Sequence, residues 1–168
     1  MKPTSSPILN LDTLQLTPQI HGERYEAHIA PVASALEAKM LGARLVVLPP
    51  GKCAWPYHGH HANEEMFVIL SGTGRLRYAG TEYALRTHDV VCCPAKGAAS
   101  AHQIRNDGET ELRYLAISTM TQPDVIDYPD SGKFAVMAGS APGGDKTSRT
   151  VNHVGRYKDA ADYWEDEE

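Results

Sequence analysis

Three side chains that bind metals crowd into one short stretch of this chain: His58, His60 and Glu65, within GKCAWPYHGHHANEEMFVILSG (51–72). In a β-strand alternate side chains share a face, so His58 and His60 point to one side, and Glu65 can join them from the next strand after a short turn. A further histidine, His102, sits in PAKGAASAHQIRN (94–106), where a strand of a rolled sheet would return it to the first three. Three imidazoles and one carboxylate suit a borderline divalent transition ion, whereas Mg and Ca prefer all-oxygen shells. The expectation is one divalent transition metal ion per chain, zinc, manganese, nickel or iron. If that ion is six-coordinate, positions stay open for water, substrate or dioxygen, and it can polarise a carbonyl or hydroxyl oxygen or acidify a bound water.

Glu64 competes with Glu65 for the carboxylate role. Strand phase puts Glu65, Phe67 and Ile69 on one face and turns Glu64 away. His61 is out of phase with its neighbours, which predicts an exposed or supporting role. His21, His28, His88 and His153 lie apart and are expected to have no part in the site. Asn106, followed by Asp107 and Gly108, reads as a turn residue bonding its own backbone.

These side chains need strands to carry them. Short runs at 44–48, 65–70, 74–78, 82–85, 90–93, 101–105 and 111–118 read as strands, separated by turn signals such as Pro49-Pro50-Gly51, Ser71-Gly72 and Asn106-Asp107-Gly108. Many short strands with few helical periods favour an all-β sandwich or small barrel. Residues 1–43 read as an arm, with 33–40 as a short helical turn or extended edge, 44–120 as the barrel and 121–168 as a C-terminal extension. Its acidic end is expected to be solvated, with Tyr163 and Trp164 free to dock on the barrel or a second subunit.

The first segment resembles the first cupin motif, G-(X)5-H-X-H-(X)3,4-E-(X)6-G, and the second resembles the second, G-(X)5-P-X-G-(X)2-H-(X)3-N. His58, His60 and the step from Glu65 to Gly72 match the first; His102 and its step to Asn106 match the second. Six residues separate Gly51 from His58 where the pattern has five, and the loop from Pro94 to His102 is longer than the pattern. The resemblance implies a cupin double-stranded β-helix, a jelly-roll barrel, with His58, His60, Glu65 and His102 as its metal ligands. Residues DYPDSGK and DYWE resemble the tails of small bacterial cupins often labelled sugar-phosphate isomerases, and such cupins are often homodimers.

Composition excludes other classes. A chain of 168 residues, 42% hydrophobic and 22% charged, is ordinary for one soluble domain. A net charge of −5 argues against a nucleic-acid surface. No apolar run is long enough to span a membrane, and the N-terminus lacks a signal pattern, so a cytoplasmic location is expected. Cys53, Cys92 and Cys93 read as reduced, buried small hydrophobes.

Three functions fit: a sugar or sugar-phosphate isomerase using the metal as Lewis acid, an iron-dependent dioxygenase, or a non-catalytic binder of a small carbohydrate-like or acidic molecule. For the isomerase, Tyr57, His61 and Glu64 are the candidate bases, and Lys52, Lys96 and Arg105 flank the motifs as possible phosphate contacts.

Overall fold

A computed structural model describes residues 6–167; the first five residues of the expected arm and Glu168 lie outside them. The strands are β1 (Thr17–His21), β2 (Tyr25–Pro31), β3 (Leu41–Leu48), β4 (Gly59–His60), β5 (Glu65–Ser71), β6 (Thr73–Tyr78), β7 (Thr81–Arg86), β8 (Val90–Cys93), β9 (His102–Arg105), β10 (Leu112–Thr119), β11 (Asp124–Tyr128), β12 (Lys133–Ala138) and β13 (Val151–Arg156). They form sheets ordered β1-β2-β3-β10-β5-β8, β13-β12-β11-β4 and β7-β6-β9. The pairings are antiparallel. The helical elements among the described residues are short 3-10 turns, so these residues form an all-β, jelly-roll fold. No helix among the described residues is long and apolar enough to cross a membrane.

Alternation along the strands builds the core. Phe67 and Ile69 of β5 point inward beside Leu112 and Tyr114 of β10 and meet Leu76, Leu85 and Ile104 from the three-stranded sheet. Phe67 and Tyr114 pack edge to face with ring centroids 5.9 Å apart, the arrangement their quadrupoles favour. The apolar run Leu45-Val46-Val47-Leu48 does not alternate because β3 is covered on both faces. Val46 and Leu48 enter the main core, while Leu45 and Val47 pack with Ala30, Leu11 and Leu14. Leu45, Val46, Val47 and Leu48, nearly fully removed from water, stabilise the fold by about 1.5–3 kcal/mol each.

The N-terminal region adds β1 and β2 to the edge of the large sheet, and residues 34–36 form the short turn expected there. The C-terminal region contributes β11, which pairs with β4 through Ile126 opposite His60. Gly72 has φ +84°, and a Cβ there would lie 2.3 Å from the Glu111 carbonyl oxygen, so the turn after β5 requires glycine. Asn106 is buried. It donates to the carbonyls of Leu48 at 2.8 Å and Thr110 at 2.7 Å and accepts from Gly108 N–H at 3.0 Å, pinning the β9–β10 connection. The expectation for the cysteines needs one correction. All three are free, and Cys53 and Cys93 are buried, but Cys92 is exposed because β8 is an edge strand with one face in water.

Candidate metal centre

His58 and His102 are locked together by a reciprocal pair of backbone hydrogen bonds, His58 N–H to His102 O at 3.1 Å and His102 N–H to His58 O at 2.7 Å. His60 follows in β4, and Glu65 opens β5 between Cys93 of β8 and Ser118 of β10. The side chains converge on one carboxylate oxygen. Glu65 Oε2 lies 2.7 Å from His102 Nε2, 3.5 Å from His60 Nε2 and 3.7 Å from His58 Nε2. His58, His60 and Glu65 each bring a donor atom within 4.8 Å of the others and form a group that can hold a metal ion. His102 joins through its contact with Glu65.

The far nitrogen of each ring is tied down. His58 Nδ1–H donates to Pro56 O at 2.7 Å, His102 Nδ1–H to Ser100 O at 3.1 Å, and His60 Nδ1–H to Asp124 Oδ2 at 2.6 Å. A carbonyl can only accept, so Pro56 fixes the proton on Nδ1 of His58 and leaves its Nε2 facing Glu65, while His102, whose Nδ1 meets the Ser100 carbonyl, presents Nε2 to Glu65 at hydrogen-bond distance. Asp124 is itself buried and oriented by Asn63 Nδ2–H at 2.8 Å and Ala62 N–H at 2.9 Å. Burial works to raise its pKa, but the bonds from His60, Asn63 and Ala62 hold it below the usual carboxylate range.

Burial pushes His58 down to about 4, with His102 and His60 adding to the effect and Glu65 opposing it, so its imidazole is neutral at physiological pH. Desolvation tends to raise Glu65, yet the His102 hydrogen bond and the neighbouring imidazoles outweigh it and hold the carboxyl at about 2. A neutral imidazole and an ionised carboxylate are the protonation states metal binding requires. The donor set therefore fits a divalent transition ion.

The centre opens on a cavity of about 640 Å³, whose walls include His58, His60, Glu65, Arg44, Trp55 and Tyr128. Tyr128 stacks on His58 with ring centroids 6.2 Å apart. The structure separates the other sequence candidates from this space. Glu64 is exposed. His61 Nε2 contacts Asp127 Oδ2 at 2.8 Å, and Tyr57 accepts a hydrogen bond from Gly80 N–H at 3.0 Å beside Arg77. Lys52 donates to Glu23 O, Arg105 pairs with Glu82, and Lys96 is exposed; none of the three lines the cavity. Sequence reasoning missed Asp124, Tyr128 and Arg44. The legible trace of the first was an acid in the short apolar run DVIDY, a costly residue to bury without a partner.

The cupin domain family matches residues 44–118. The chain is 32% identical over 96 residues to the oxalate-binding protein of Thermotoga maritima, spanning 57% of this chain and 75% of that one. This chain belongs to the cupin superfamily. Its fold is similar to that of an Acidithiobacillus ferrooxidans protein provisionally described as a sugar phosphate isomerase (TM-score 0.77, 25% identity, covering 93% of this chain and 96% of that chain). A cupin from Silicibacter pomeroyi described as a sugar phosphate isomerase shares the fold with a TM-score of 0.74 at 20% identity, covering 92% and 95% of the two chains.

Proposed function

We propose that this cupin holds one divalent transition ion on His58, His60, Glu65 and His102 and acts on a sugar or sugar phosphate as an isomerase. The observation that carries the metal reading is the convergence of three Nδ1-anchored imidazoles on Glu65 Oε2, since a purely structural cluster has no need to aim three Nε2 atoms at one point. The bound ion would supply Lewis-acid polarisation of a ligand oxygen. The chain's own residues orient that ligand: Trp55 and Tyr128 give the cavity flat apolar walls, and Asp124 keeps His60 in place. The full-length likeness to the Acidithiobacillus protein supports the isomerase assignment.

A second reading, a non-catalytic binder, is favoured by what the cavity lacks. Glu65 is the only carboxylate among the described residues that line it, and none of Tyr57, His61 and Glu64 reaches it. Tyr128 lines the wall, but burial raises its pKa and leaves it a poor base. The relationship to an oxalate-binding protein points the same way. Incubating the metal-loaded protein with hexose phosphates in D2O decides between the two. An isomerase working by proton transfer incorporates deuterium beside the carbonyl, read by NMR, whereas a binder gives saturable binding with no exchange.

The assembly is proposed as a homodimer. Ile20 on the edge strand β1 and Tyr163 and Trp164 near the C-terminus are exposed in the single chain and available to a second copy. Light scattering at micromolar concentration should give twice the chain mass; a monomer mass would contradict the dimer.

A further inference from the structure

The metal centre occupies one part of the cavity wall, and cations occupy others. Arg44 on β3 and Lys146 and Arg149 on the segment between β12 and β13 line the same space as His58, His60 and Glu65. Several arginines elsewhere are neutralised, Arg75, Arg77 and Arg105 each pairing with a carboxylate, while Arg24 and Arg156 donate to the Gln103 side-chain oxygen and the Ser131 carbonyl outside this space. Among the described residues no carboxylate lies within ion-pair distance of Arg44, Lys146 or Arg149. Asp145 is adjacent in sequence, but both its oxygens are committed to its own turn, to Thr147 N–H, Thr147 Oγ1 and Ser148 Oγ.

The two guanidinium groups are only partly satisfied. Arg44 lies over the Trp55 ring, 5.7 Å from its centroid, and donates one bond, Nη2–H to Gly143 O at 3.2 Å. Arg149 donates Nη1–H to Asn152 Oδ1 at 3.1 Å, and its Nε is buried without any partner. A guanidinium carries five N–H donors, and each of these two residues lines the cavity with a single side-chain hydrogen bond to the chain, so both have donors left to offer a bound acceptor. Two unpaired arginines on a chain of net charge −5 concentrate positive potential where the rest of the molecule repels anions.

We propose that Arg44 and Arg149 bind the oxyanion head, carboxylate or phosphate, of a small organic anion whose oxygen-bearing end faces His58, His60 and Glu65. Planar guanidinium forks match either oxyanion with paired N–H···O bonds. A cavity of about 640 Å³ falls within the usual range for a metabolite-sized ligand. The inference deepens the metal-centred reading and rests on it only for the orientation of the ligand's second end.

Isothermal titration of the metal-loaded full chain with oxalate, inorganic phosphate, glucose 6-phosphate and glucose tests the proposal, with the metal content of every sample measured alongside. At least one anion should bind while glucose does not. Arg44→Gln and Arg149→Gln should each weaken that binding by about tenfold or more with metal content unchanged, and Arg44→Lys should keep part of it. Preference for oxalate assigns a carboxylate head; preference for phosphate or glucose 6-phosphate assigns a phosphoryl head. Failure of all three anions to bind, equal binding of glucose and glucose 6-phosphate, or unchanged affinity in both glutamine variants overturns it. Arg149 lies on a surface segment, so its variant stays informative if Arg44→Gln fails to fold. Arginine-dependent anion binding by a protein that takes up no metal would remove the metal reading and leave this one standing.

Discussion

At the scale of single residues, the His60 ring is held by a buried carboxylate, Asp124, 2.6 Å from Nδ1. Replacing it by asparagine keeps the shape but removes the charge and allows the amide to flip. Asp124→Asn should weaken metal affinity about 10–100-fold with little change in the far-UV spectrum, as losses of such supporting partners do. Metal titration against a competing chelator measures it, and unchanged affinity would show that the His60–Asp124 contact serves stability alone. The converging residues themselves were legible, because two histidines at i and i+2 can share a strand face only in β structure. Glu65 was separable from Glu64 by the same phase, and Glu64 is indeed exposed. Asp124 was not legible, since nothing in the spacing of DVIDY says that β11 will lie against β4.

At the scale of elements, the site depends on how closely β4 approaches the turn Gly97–Ser100 that leads into His102. A Cβ on Gly59 would sit 2.1 Å from the Gly97 carbonyl oxygen, a backbone atom that cannot swing aside. Gly59→Ala should therefore push His58 and His60 away from His102, costing on the order of 1–3 kcal/mol in stability and lowering metal affinity as well. Denaturant unfolding and metal titration of the same sample check both. Strands β5 to β10 were readable from short runs rich in apolar and β-branched residues set between turn signals, and β3 from its unbroken apolar run, which is covered on both faces. The remaining strands carry weaker signals for physical reasons. β1 is exposed along its whole length, β4 is two residues long, and β11 has Asp124 and Asp127 at positions where an apolar residue would announce a strand. Those acids are accommodated by partners from distant segments, His60 and Asn63 for one, His61 and Tyr157 for the other.

At the scale of the whole molecule, the metal centre makes the metal-stripped protein sensitive to acid. His58 titrates near 4 in the folded chain and near 6.5 when unfolded, so between those values the unfolded chain takes up a proton that the native one refuses. Glu65 titrates near 2 in the folded chain and near 4.5 when unfolded, and the stability its charge confers above 4.5 is lost as pH falls through that interval. Both effects favour unfolding as pH drops. The melting temperature of the metal-free form should fall steadily from neutral pH toward pH 4, and a level or rising profile would contradict the burial of His58. The account stands most directly on elemental analysis of protein purified without a histidine tag or added metal, beside Glu65→Ala and Glu64→Ala. It predicts about one divalent transition ion per chain in the wild type and in Glu64→Ala and loss of that ion in Glu65→Ala. A wild-type protein that takes up no metal even after reconstitution, or a Glu65→Ala variant that keeps a full equivalent, would contradict it.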